Sequence, residues 1–508
     1  IVGGSAGSKL YGGDGNDSLD AGTGKHLLDG GSGDDTLILR DINGDGLINW
    51  NDFAGLHGGS GTDTLKVGGA GLTLDLSAGN PADISGIERI DISGGNSLKL
   101  SGDMLAAMAT ELSAGQPLAV TGGAGDSFEL AGAGWTFAGR VTDSDGTWNT
   151  YTNGGKALYV DAAIARVVQG TTGNDTMNYG EQGAIIHGGN GNDILHNGAP
   201  GQTLYGDAGN DIFRLSDLSG DGRISAADFA AIHGGAGTNT IEIQGLGDIL
   251  DLGGLASGVI TGVEAISLGG AGSHLILDQD SLAALGQSSA ITVSGDSTGV
   301  VELWGGQWEY ESSQAGNSVY HDASGRTVAV SESMRVELHG GGSGEHLAGG
   351  KESTDIYGGA GDDTLDGGPG GVNLLSGGAG DDLFLLRDTS EDGFITMADY
   401  SGLHGGDGTD TLQVQGSGLI LDLTAFTPGG ISGVEVIDLG GDNTLKINAE
   451  AFAQAASGNT LIVSGGAGAS VEVTDLPGDW LPGALPQDIG GVNYMEYRTT
   501  YDNETLTL

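Results

Sequence analysis

Residues 30–38 read GGSGDDTLI, and this nine-residue pattern, G-G-x-G-x-D-x-U-x with U a large apolar residue, returns along the chain. Close copies begin at residues 12, 188, 358 and 377, and looser copies begin at residues 170 and 206. Glycine permits the positive-φ backbone of a tight turn, and the eighth residue points inward from a short strand. A flexible linker would not keep aspartate and leucine in phase, so the pattern predicts stacked turns.

The sixth position of the pattern supplies the chemistry. Its aspartate offers a hard anionic oxygen, the ligand type that calcium prefers, and the glycines leave backbone carbonyls uncovered. An ion held between stacked turns would take oxygens from both of them. The pattern therefore predicts several Ca²⁺ ions as part of the fold.

The nonapeptides resemble those of the RTX family of exported bacterial proteins, whose repeats wind into a parallel β-roll. Some turns depart from the family pattern, with His26, Asn239 and His346 read at the sixth position. The resemblance implies that the remaining sixth-position aspartates bind calcium, namely Asp17, Asp35, Asp63, Asp175, Asp193, Asp211, Asp363, Asp382 and Asp410.

Composition excludes several classes of function. The chain has 508 residues, 103 of them glycine, no cysteine and a formal net charge of −51. This acidity opposes binding to nucleic acid or to an anionic membrane surface, and no apolar run is long enough for membrane insertion. Glycine-rich strings such as GDSTG at residue 295 imitate protease motifs by chance, so we predict no catalytic residue and no enzyme activity.

A longer repeat overlies the nonapeptides. The segment LRDINGDGLINWNDFAGLHGG begins at Leu39, and related segments begin at Leu215 and Leu386. Each is followed by alternating apolar residues, interrupted by one short helical pattern near residues 103, 280 and 449. The predicted fold is all-β in three tandem modules, 1–168, 169–338 and 339–508. Each module is predicted to be a parallel β-roll with an EF-type calcium loop, a short helix and a β-rich tail.

The longer repeat contains a second calcium signal, a twelve-residue loop with the spacing of an EF-hand. A short exit helix is predicted in the DFAGL segment that follows residue 51 and in its two counterparts. Ligand slots 1, 3, 5, 7 (backbone carbonyl) and 12 are predicted at Asp41, Asn43, Asp45, Leu47 and Asp52; at Asp217, Ser219, Asp221, Arg223 and Asp228; and at Asp388, Ser390, Asp392, Phe394 and Asp399. Slot 12 holds aspartate where EF-hands usually place glutamate. A switch would need paired mobile helices and a groove, so we predict a static clamp between the β-roll and the tail.

Three other recurring residues have weaker signals. His57, His233 and His404 are predicted to pack against the next turn of the roll. The repeated glutamates Glu88, Glu264 and Glu435 are interpreted as surface charge. One tryptophan per tail, at Trp135, Trp308 and Trp480, is predicted to be a core residue, although stacking on a sugar stays an alternative.

The complete module resembles units of very large repetitive RTX proteins of Gram-negative bacteria, which include adhesins, biofilm matrix proteins and surface-layer components. The resemblance implies type I secretion, an extracellular or cell-surface location and folding on calcium after export. We expect a structural array, filament or adhesin stalk that associates with itself. The alternatives are the C-terminal calcium region of a secreted hydrolase or epimerase, and a carbohydrate-binding module whose partner is a cell-surface polysaccharide.

Overall fold

The computed structural model describes residues 1–475, apart from 110–111, 113–115, 286–290 and 457–459. It also describes the short strands Leu481–Pro482, Gln487–Ile489, Val492–Tyr494, Tyr497–Tyr501 and Glu504–Thr507. The described residues are mostly β-strand, and most strand pairs are parallel, which confirms the predicted all-β class.

The chain forms two compact units. One contains residues 1–170 and 179–187, and the other contains residues 171–178 and 188–508. The division into three modules stays a prediction.

Two nonapeptides make one turn of the coil. Ser18 pairs with Thr36 in one parallel sheet, and Lys9 pairs with Leu27 in another, so each strand meets the strand eighteen residues further on. Parallel neighbours need a crossover connection, and here the strand of the opposite sheet provides it. Glycine makes the turns possible, as at Gly31, where φ is +108°.

Longer coils continue the same ladders through the predicted tail. The inserted loop at residues 41–52 separates paired strands by 28 residues, so that Leu37 pairs with Leu65. Ile90 then pairs with Leu65 on one side and with Val120 on the other. The tail is therefore an extension of the roll with longer connections, and its parallel ladder is built from the alternating apolar segments.

In the first unit, three sheets contain parallel strands. One runs through Ser18–Asp20, Thr36–Leu39, Thr64–Val67, Arg89–Asp91, Leu118–Thr121 and Lys156–Asp161, and adds the antiparallel strands Thr147–Asn153 and Thr136–Thr142. The second contains Lys9–Asp14, His26–Ser32, Phe53–Ser60 and Ile84–Ser85. The third contains Leu47–Ile48, Thr73–Leu76, Ser97–Ser101, Ser127–Ala131, Ala165–Gln169 and Ile185–His187.

The second unit repeats this arrangement over more coils. One sheet contains Thr176–Asn178, Ile194–His196, Ile212–Leu215, Thr240–Ile243, Ala265–Leu268, Ile291–Gly295, Thr327–Ser331, Asn317–Asp322, Trp308–Gln314, His346–Ala348, Thr364–Asp366, Leu383–Leu386, Thr411–Val414, Val436–Asp438 and Ile462–Ser464. Three further sets of parallel strands face this sheet. The first contains Thr203–Tyr205, Ala231–His233 and Ile260–Thr261, and the second contains Arg223–Ile224, Ile249–Asp251, His274–Asp278, Val300–Trp304, Arg335–His339, Thr354–Ala360, Asn373–Ala379, Tyr400–Asp407 and Ile431–Ser432. The third contains Phe394–Ile395, Ile420–Asp422, Thr444–Ile447 and Ser470–Val473.

The predicted tail helices are confirmed, as Gly102–Met108, Gln279–Leu285 and Ala449–Ala455. Short 3₁₀ turns lie at Pro81–Asp83 and Leu423–Ala425. The predicted exit helix after the EF-type loop is wrong, because the DFAGL segment enters the strand Phe53–Ser60, which pairs with the preceding coil. Each described helix is too short to cross a membrane.

The core is a narrow column of aliphatic side chains, one or two from each strand. Leu19, Leu37, Leu65, Ile90 and Val120 occupy one row and are completely buried. Each such side chain contributes about 1.5–3 kcal/mol on burial. Because each strand contributes only one or two side chains to this column, the coils also depend on the contacts at their edges.

An antiparallel hairpin joins each of two tails to the coil that follows. Within the first unit, the Tyr151 hydroxyl donates to Glu181 at 3.3 Å, and Arg166 pairs with the same carboxylate. Within the second, Tyr320 and Ser318 both donate to Glu352. Burial raises the pKa of Glu181 and of Glu352 above its usual range. These buried contacts attach a tail directly to the next roll.

Candidate metal centres

The sixth-position residues stack along one edge of the coils. In the first unit, the Asp17 N–H donates to Asp35 Oδ1 at 2.7 Å, and the Asp35 N–H donates to Asp63 Oδ1 at 2.7 Å. The Asp63 N–H then donates to Glu88 Oε2 at 2.8 Å. Each carboxylate is therefore fixed by the backbone of the coil before it.

The second unit contains the same ladder, with hydrogen bonds of 2.7 to 3.0 Å. The donor–acceptor pairs are Asp175–Asp193, Asp193–Asp211, Asp211–Asn239, Asn239–Glu264, Glu345–Asp363, Asp363–Asp382, Asp382–Asp410 and Asp410–Glu435. We call the residues of these ladders in the two units the acidic edge.

The second carboxylate oxygen of most ladder aspartates faces inward without a donor. Among the described residues, this buried Oδ2 has no hydrogen-bond partner at Asp35, Asp193, Asp211, Asp363, Asp382 and Asp410. These side chains are at most 1% exposed. A buried, unpaired carboxylate oxygen is costly unless a cation or proton meets it, so each position fits a cation ligand.

Glycine Cα atoms and carbonyl oxygens surround the same space. A Cβ atom added at Gly30 would lie 2.3 Å from Asp35 Oδ2 and 2.4 Å from the carbonyl oxygen of Gly58. At Gly206 the corresponding distances are 2.4 Å to Asp211 Oδ2 and 2.5 Å to the oxygen of Gly234. The first glycine of the repeat thus leaves a cradle lined by carboxylate and carbonyl oxygens, the donor set that suits calcium.

Burial and neighbouring carboxylates shift the ionisation of the acidic edge. They raise the pKa of Asp363 to about 6 and the pKa of Asp410 to about 6. Burial also raises the pKa of Asp193, Asp211 and Asp382, against the opposing effect of the backbone hydrogen bonds. Without a cation, these groups bind protons more readily than free aspartate does.

Two predicted ligands at the start of their ladders differ from the rest. Asp17 is only half-buried. Asp175 Oδ2 accepts the Thr171 N–H at 2.6 Å and the Thr171 hydroxyl at 2.8 Å, so its own turn satisfies it. The remaining sixth-position aspartates lie inside the ladder.

The first, third and fifth residues of the EF-type loops fold into a tight turn. Asp41 accepts the N–H groups of Gly44 and Gly46 at 2.7 and 2.8 Å. Asn43 accepts the Asp45 N–H at 2.9 Å, and Asp45 accepts the Leu47 N–H at 2.9 Å. The loops at 217 and 388 repeat the bond from the slot-6 glycine to the slot-1 aspartate.

The slot-12 aspartates close these loops. Asp52 accepts the Ile42 N–H at 3.2 Å and the Asn49 N–H at 2.9 Å, and it is 1% exposed. Asp228 and Asp399 are buried in the same role. Of the slot-7 residues, Leu47 and Phe394 have exposed side chains, and Arg223 pairs with Asp251. Calcium binding by the loops stays a prediction.

Side chains alone do not complete a metal site in the part of the chain that the structure describes. There, no three His, Asp or Glu side chains lie close enough together to hold an ion without other donors. Backbone carbonyls would have to supply the rest of the shell, as the cradles allow.

Sequence reasoning missed the glutamates of the ladder. Glu88 is 7% exposed and ends the acidic edge of its unit, so its interpretation as surface charge is wrong. Glu345, and not His346, holds the sixth position of its turn, because its N–H donates to Asp363 Oδ1 at 2.7 Å. The recurrence of Glu88, Glu264 and Glu435 25 residues after a sixth-position residue was the available signal.

The other recurring residues are structural. His57, His233 and His404 each contact a hydroxyl of the coil 28 residues on, at 2.8 to 3.0 Å, as predicted. Trp308 is completely buried, which confirms its place in the core. Trp135 is half-buried and donates to the Ala131 carbonyl, whereas Trp480 lies outside the described residues.

Comparison with known proteins agrees with this geometry. The family model described as the RTX calcium-binding nonapeptide repeat matches four copies, at residues 2–38, 185–199, 203–217 and 339–371. A search of curated proteins gave no match. The matched segments include both strands and turns of the acidic edge.

Proposed function

Because the chain is an RTX calcium-binding repeat protein, we propose that it is a secreted structural protein that folds on calcium outside the cell. The observation that carries this proposal is a run of six buried aspartates on the acidic edge whose Oδ2 atoms have no hydrogen-bond partner among the described residues, namely Asp35, Asp193, Asp211, Asp363, Asp382 and Asp410. At the low calcium concentration of a cytoplasm, mutual repulsion keeps the chain from closing its coils. Millimolar extracellular calcium reaches the weak affinities typical of such sites.

Calcium supplies the stability that the narrow core lacks. Each site adds RT ln(1 + [L]/Kd), which is about 2.7 kcal/mol at a calcium concentration of one hundred Kd. The ligands proposed for the rolls are the nine sixth-position aspartates, and those proposed for the loops are the slot residues of the three EF-type repeats. Bound calcium would supply positive charge, and these residues would supply oxygen ligands held in fixed positions.

Stacking across the predicted module boundaries supports a rigid array. Within the second unit, Val336 pairs with Val301 of an earlier strand of the same tail and with Thr354 of the following roll. Within the first unit, Val167 pairs with Glu129 and with Ile185. Modules joined by shared sheets resist bending, which suits a stalk, filament or surface layer. Self-association and a polysaccharide partner belong to the same proposal.

Circular dichroism tests the folding claim directly. We expect EGTA to abolish the β signal of the purified chain and added calcium, but not magnesium, to restore it. An unchanged β spectrum in EGTA would contradict the proposal. Sedimentation of the calcium-loaded chain then separates a monomer from an assembling array.

A further inference from the structure

At several positions of the edge opposite the acidic edge, an uncharged side chain accepts the same backbone hydrogen bond. We call its sixth-position residues Ser8, His26, Thr354 and Asn373 the neutral edge. The Thr354 N–H donates to Asn373 Oδ1 at 2.9 Å, and the Ser8 N–H donates to His26 Nδ1 at 3.1 Å. His26 and Asn373 are completely buried. On both edges, one side-chain atom thus accepts a hydrogen bond from the backbone of the preceding coil.

The second polar atom distinguishes the two edges. Asn373 Nδ2 donates to the Gly370 carbonyl oxygen at 3.1 Å, so both ends of this amide are satisfied. Asp382 in the next turn has a buried Oδ2 with no partner among the described residues. An amide nitrogen donates to a carbonyl, whereas a carboxylate oxygen repels it and requires a cation between them.

At Asn239, an amide replaces the carboxylate within the acidic edge itself. Its Oδ1 accepts the Asp211 N–H at 3.0 Å, and its Nδ2 donates to the Gly262 carbonyl oxygen at 2.9 Å. The amide orientation follows from this contact, because a carbonyl oxygen only accepts. Asn239 is completely buried.

The position equivalent to Asn239 in the last coils is Asp410, and the two surroundings match. A Cβ atom added at Gly405 would lie 1.7 Å from the Gly433 oxygen and 2.5 Å from Asp410 Oδ2. One added at Gly234 would lie 1.7 Å from the Gly262 oxygen and 2.6 Å from Asn239 Nδ2. The two sites differ by an oxygen in one and an NH₂ group in the other.

Glutamate ends the ladder where the coil shortens. Glu435 Oε2 accepts the Asp410 N–H at 2.8 Å from 25 residues further on, in the place that an aspartate fills elsewhere. Glu88 does the same for Asp63, and its side chain is 7% exposed. These glutamates bring a further carboxylate against the last aspartate of each ladder.

We propose that calcium binds in a row along the acidic edge within each unit, that Glu88 and Glu435 are additional ligands where their ladders end, and that the Asn239 and Asn373 amides replace the ion. This inference rests on the proposed calcium-dependent folding and adds which positions bind. It divides the sixth-position residues into carboxylates that need a bound ion and amides that donate a hydrogen bond to the neighbouring backbone carbonyl.

The number of bound calcium ions tests the inference in the full-length chain. Native mass spectrometry after equilibration with calcium alone gives the number for wild type and variants. We expect Asn239→Asp to bind one ion more than wild type. We expect Asp410→Asn to bind at least one fewer and to stay folded in calcium, because its amide can donate to the Gly433 carbonyl. Glu435→Gln should raise the calcium midpoint several-fold.

Asn373→Ser serves as the matched neutral-edge control, and its ion count should equal that of wild type. Circular dichroism in calcium shows which variants are folded, so that counts are compared between folded chains. If Asp410→Asn does not fold, the ion count of Asn239→Asp and the calcium midpoint of Glu435→Gln still test the inference. Unchanged counts in Asn239→Asp and Asp410→Asn, or a lower count in folded Asn373→Ser, would overturn the inference. A wild type that binds no calcium would instead contradict the proposed function.

Discussion

The acidic edge and the neutral edge occupy opposite ends of the same coils and hold them with the same hydrogen bond. On both, a side-chain atom at the sixth position accepts the backbone N–H of the coil before it, as Asp382 does for Asp363 and Asn373 does for Thr354. Among the described residues, the buried Oδ2 atoms of Asp35, Asp193, Asp211, Asp363, Asp382 and Asp410 on the acidic edge have no hydrogen-bond partner, whereas both polar ends of the Asn373 amide are satisfied. The geometry of the coil is therefore common to both edges, and the need for a cation is local.

This difference shows that exchanging one side-chain atom, a carboxylate oxygen for an amide nitrogen, replaces the need for a cation with a hydrogen bond. The carboxylate requires positive charge to lie next to a carbonyl oxygen, and the amide carries its own hydrogen. A chain with acidic residues on both edges would gain more from calcium and lose more without it.

The largest effect is expected from closing a cradle on the acidic edge. Gly206→Ala would place a methyl group 2.4 Å from Asp211 Oδ2 and 2.5 Å from the Gly234 oxygen. Because backbone lines this space, we expect the free energy of unfolding in calcium to fall by about 3 kcal/mol. Denaturant unfolding at saturating calcium measures it, and native mass spectrometry should show a lost ion.

Gly342→Ala is the matched control for this substitution. A Cβ atom at Gly342 meets nothing within 4 Å, and its backbone requires no positive φ. The control should unfold at nearly the wild-type denaturant concentration. Equal losses in the two variants would mean that the cradle has no special role.

A smaller effect is expected on the neutral edge, and it should not depend on calcium. Asn373→Ala removes the acceptor of the Thr354 N–H and the donor to the Gly370 carbonyl. Leaving buried groups unsatisfied costs about 2 kcal/mol. Denaturant unfolding at two saturating calcium concentrations should give the same loss. A loss that disappears at the higher concentration would place an ion on this edge.

The smallest effect is the pH dependence of calcium binding. Protons compete with calcium for Asp363 and Asp410, whose pKa values are raised to about 6. Lowering the pH from 7.5 to 5.5 should therefore raise the calcium midpoint about fourfold for each of these carboxylates. Calcium titrations followed by circular dichroism measure the shift, and a midpoint that stays constant over this range would contradict it.

The calcium-free chain should respond to pH in the opposite direction. A carboxyl whose pKa is higher in the folded than in the unfolded chain destabilises the fold fully above the folded pKa. That penalty is relieved as the pH falls through about 6 towards the unfolded value. Residual structure in EGTA should thus increase at pH 5, whereas calcium-bound stability decreases.

Much of the fold could be predicted because its determinants are local. The glycines, the sixth-position aspartates and the buried eighth residues recur every nine positions, so the turns and strands follow from short segments. The helix at Gly102–Met108 was predicted from its apolar spacing, and the packing of His57 on the next coil from its recurrence.

Other features could not be predicted because they depend on which coils meet. The DFAGL segment becomes a strand since a neighbouring strand offers it backbone partners, which outweighs its helical pattern. Glu345 was read one position out of phase because an extra glycine precedes its turn. Glu88 looked like surface charge because its contact, Asp63, lies 25 residues away along the chain.

The sequence by itself determined the coil, the calcium chemistry and the candidate ligands, because glycine conformation and carboxylate chemistry belong to single residues. Only the tertiary structure decided that sixth positions eighteen or more residues apart form a ladder. It placed the sixth-position aspartates of alternate nonapeptides on one edge, because successive nonapeptides contribute strands to opposite sheets. It also showed that the Asn239 amide donates to the Gly262 carbonyl oxygen, whereas the equivalent Oδ2 of Asp410 has no hydrogen-bond partner among the described residues, because these contacts join different coils.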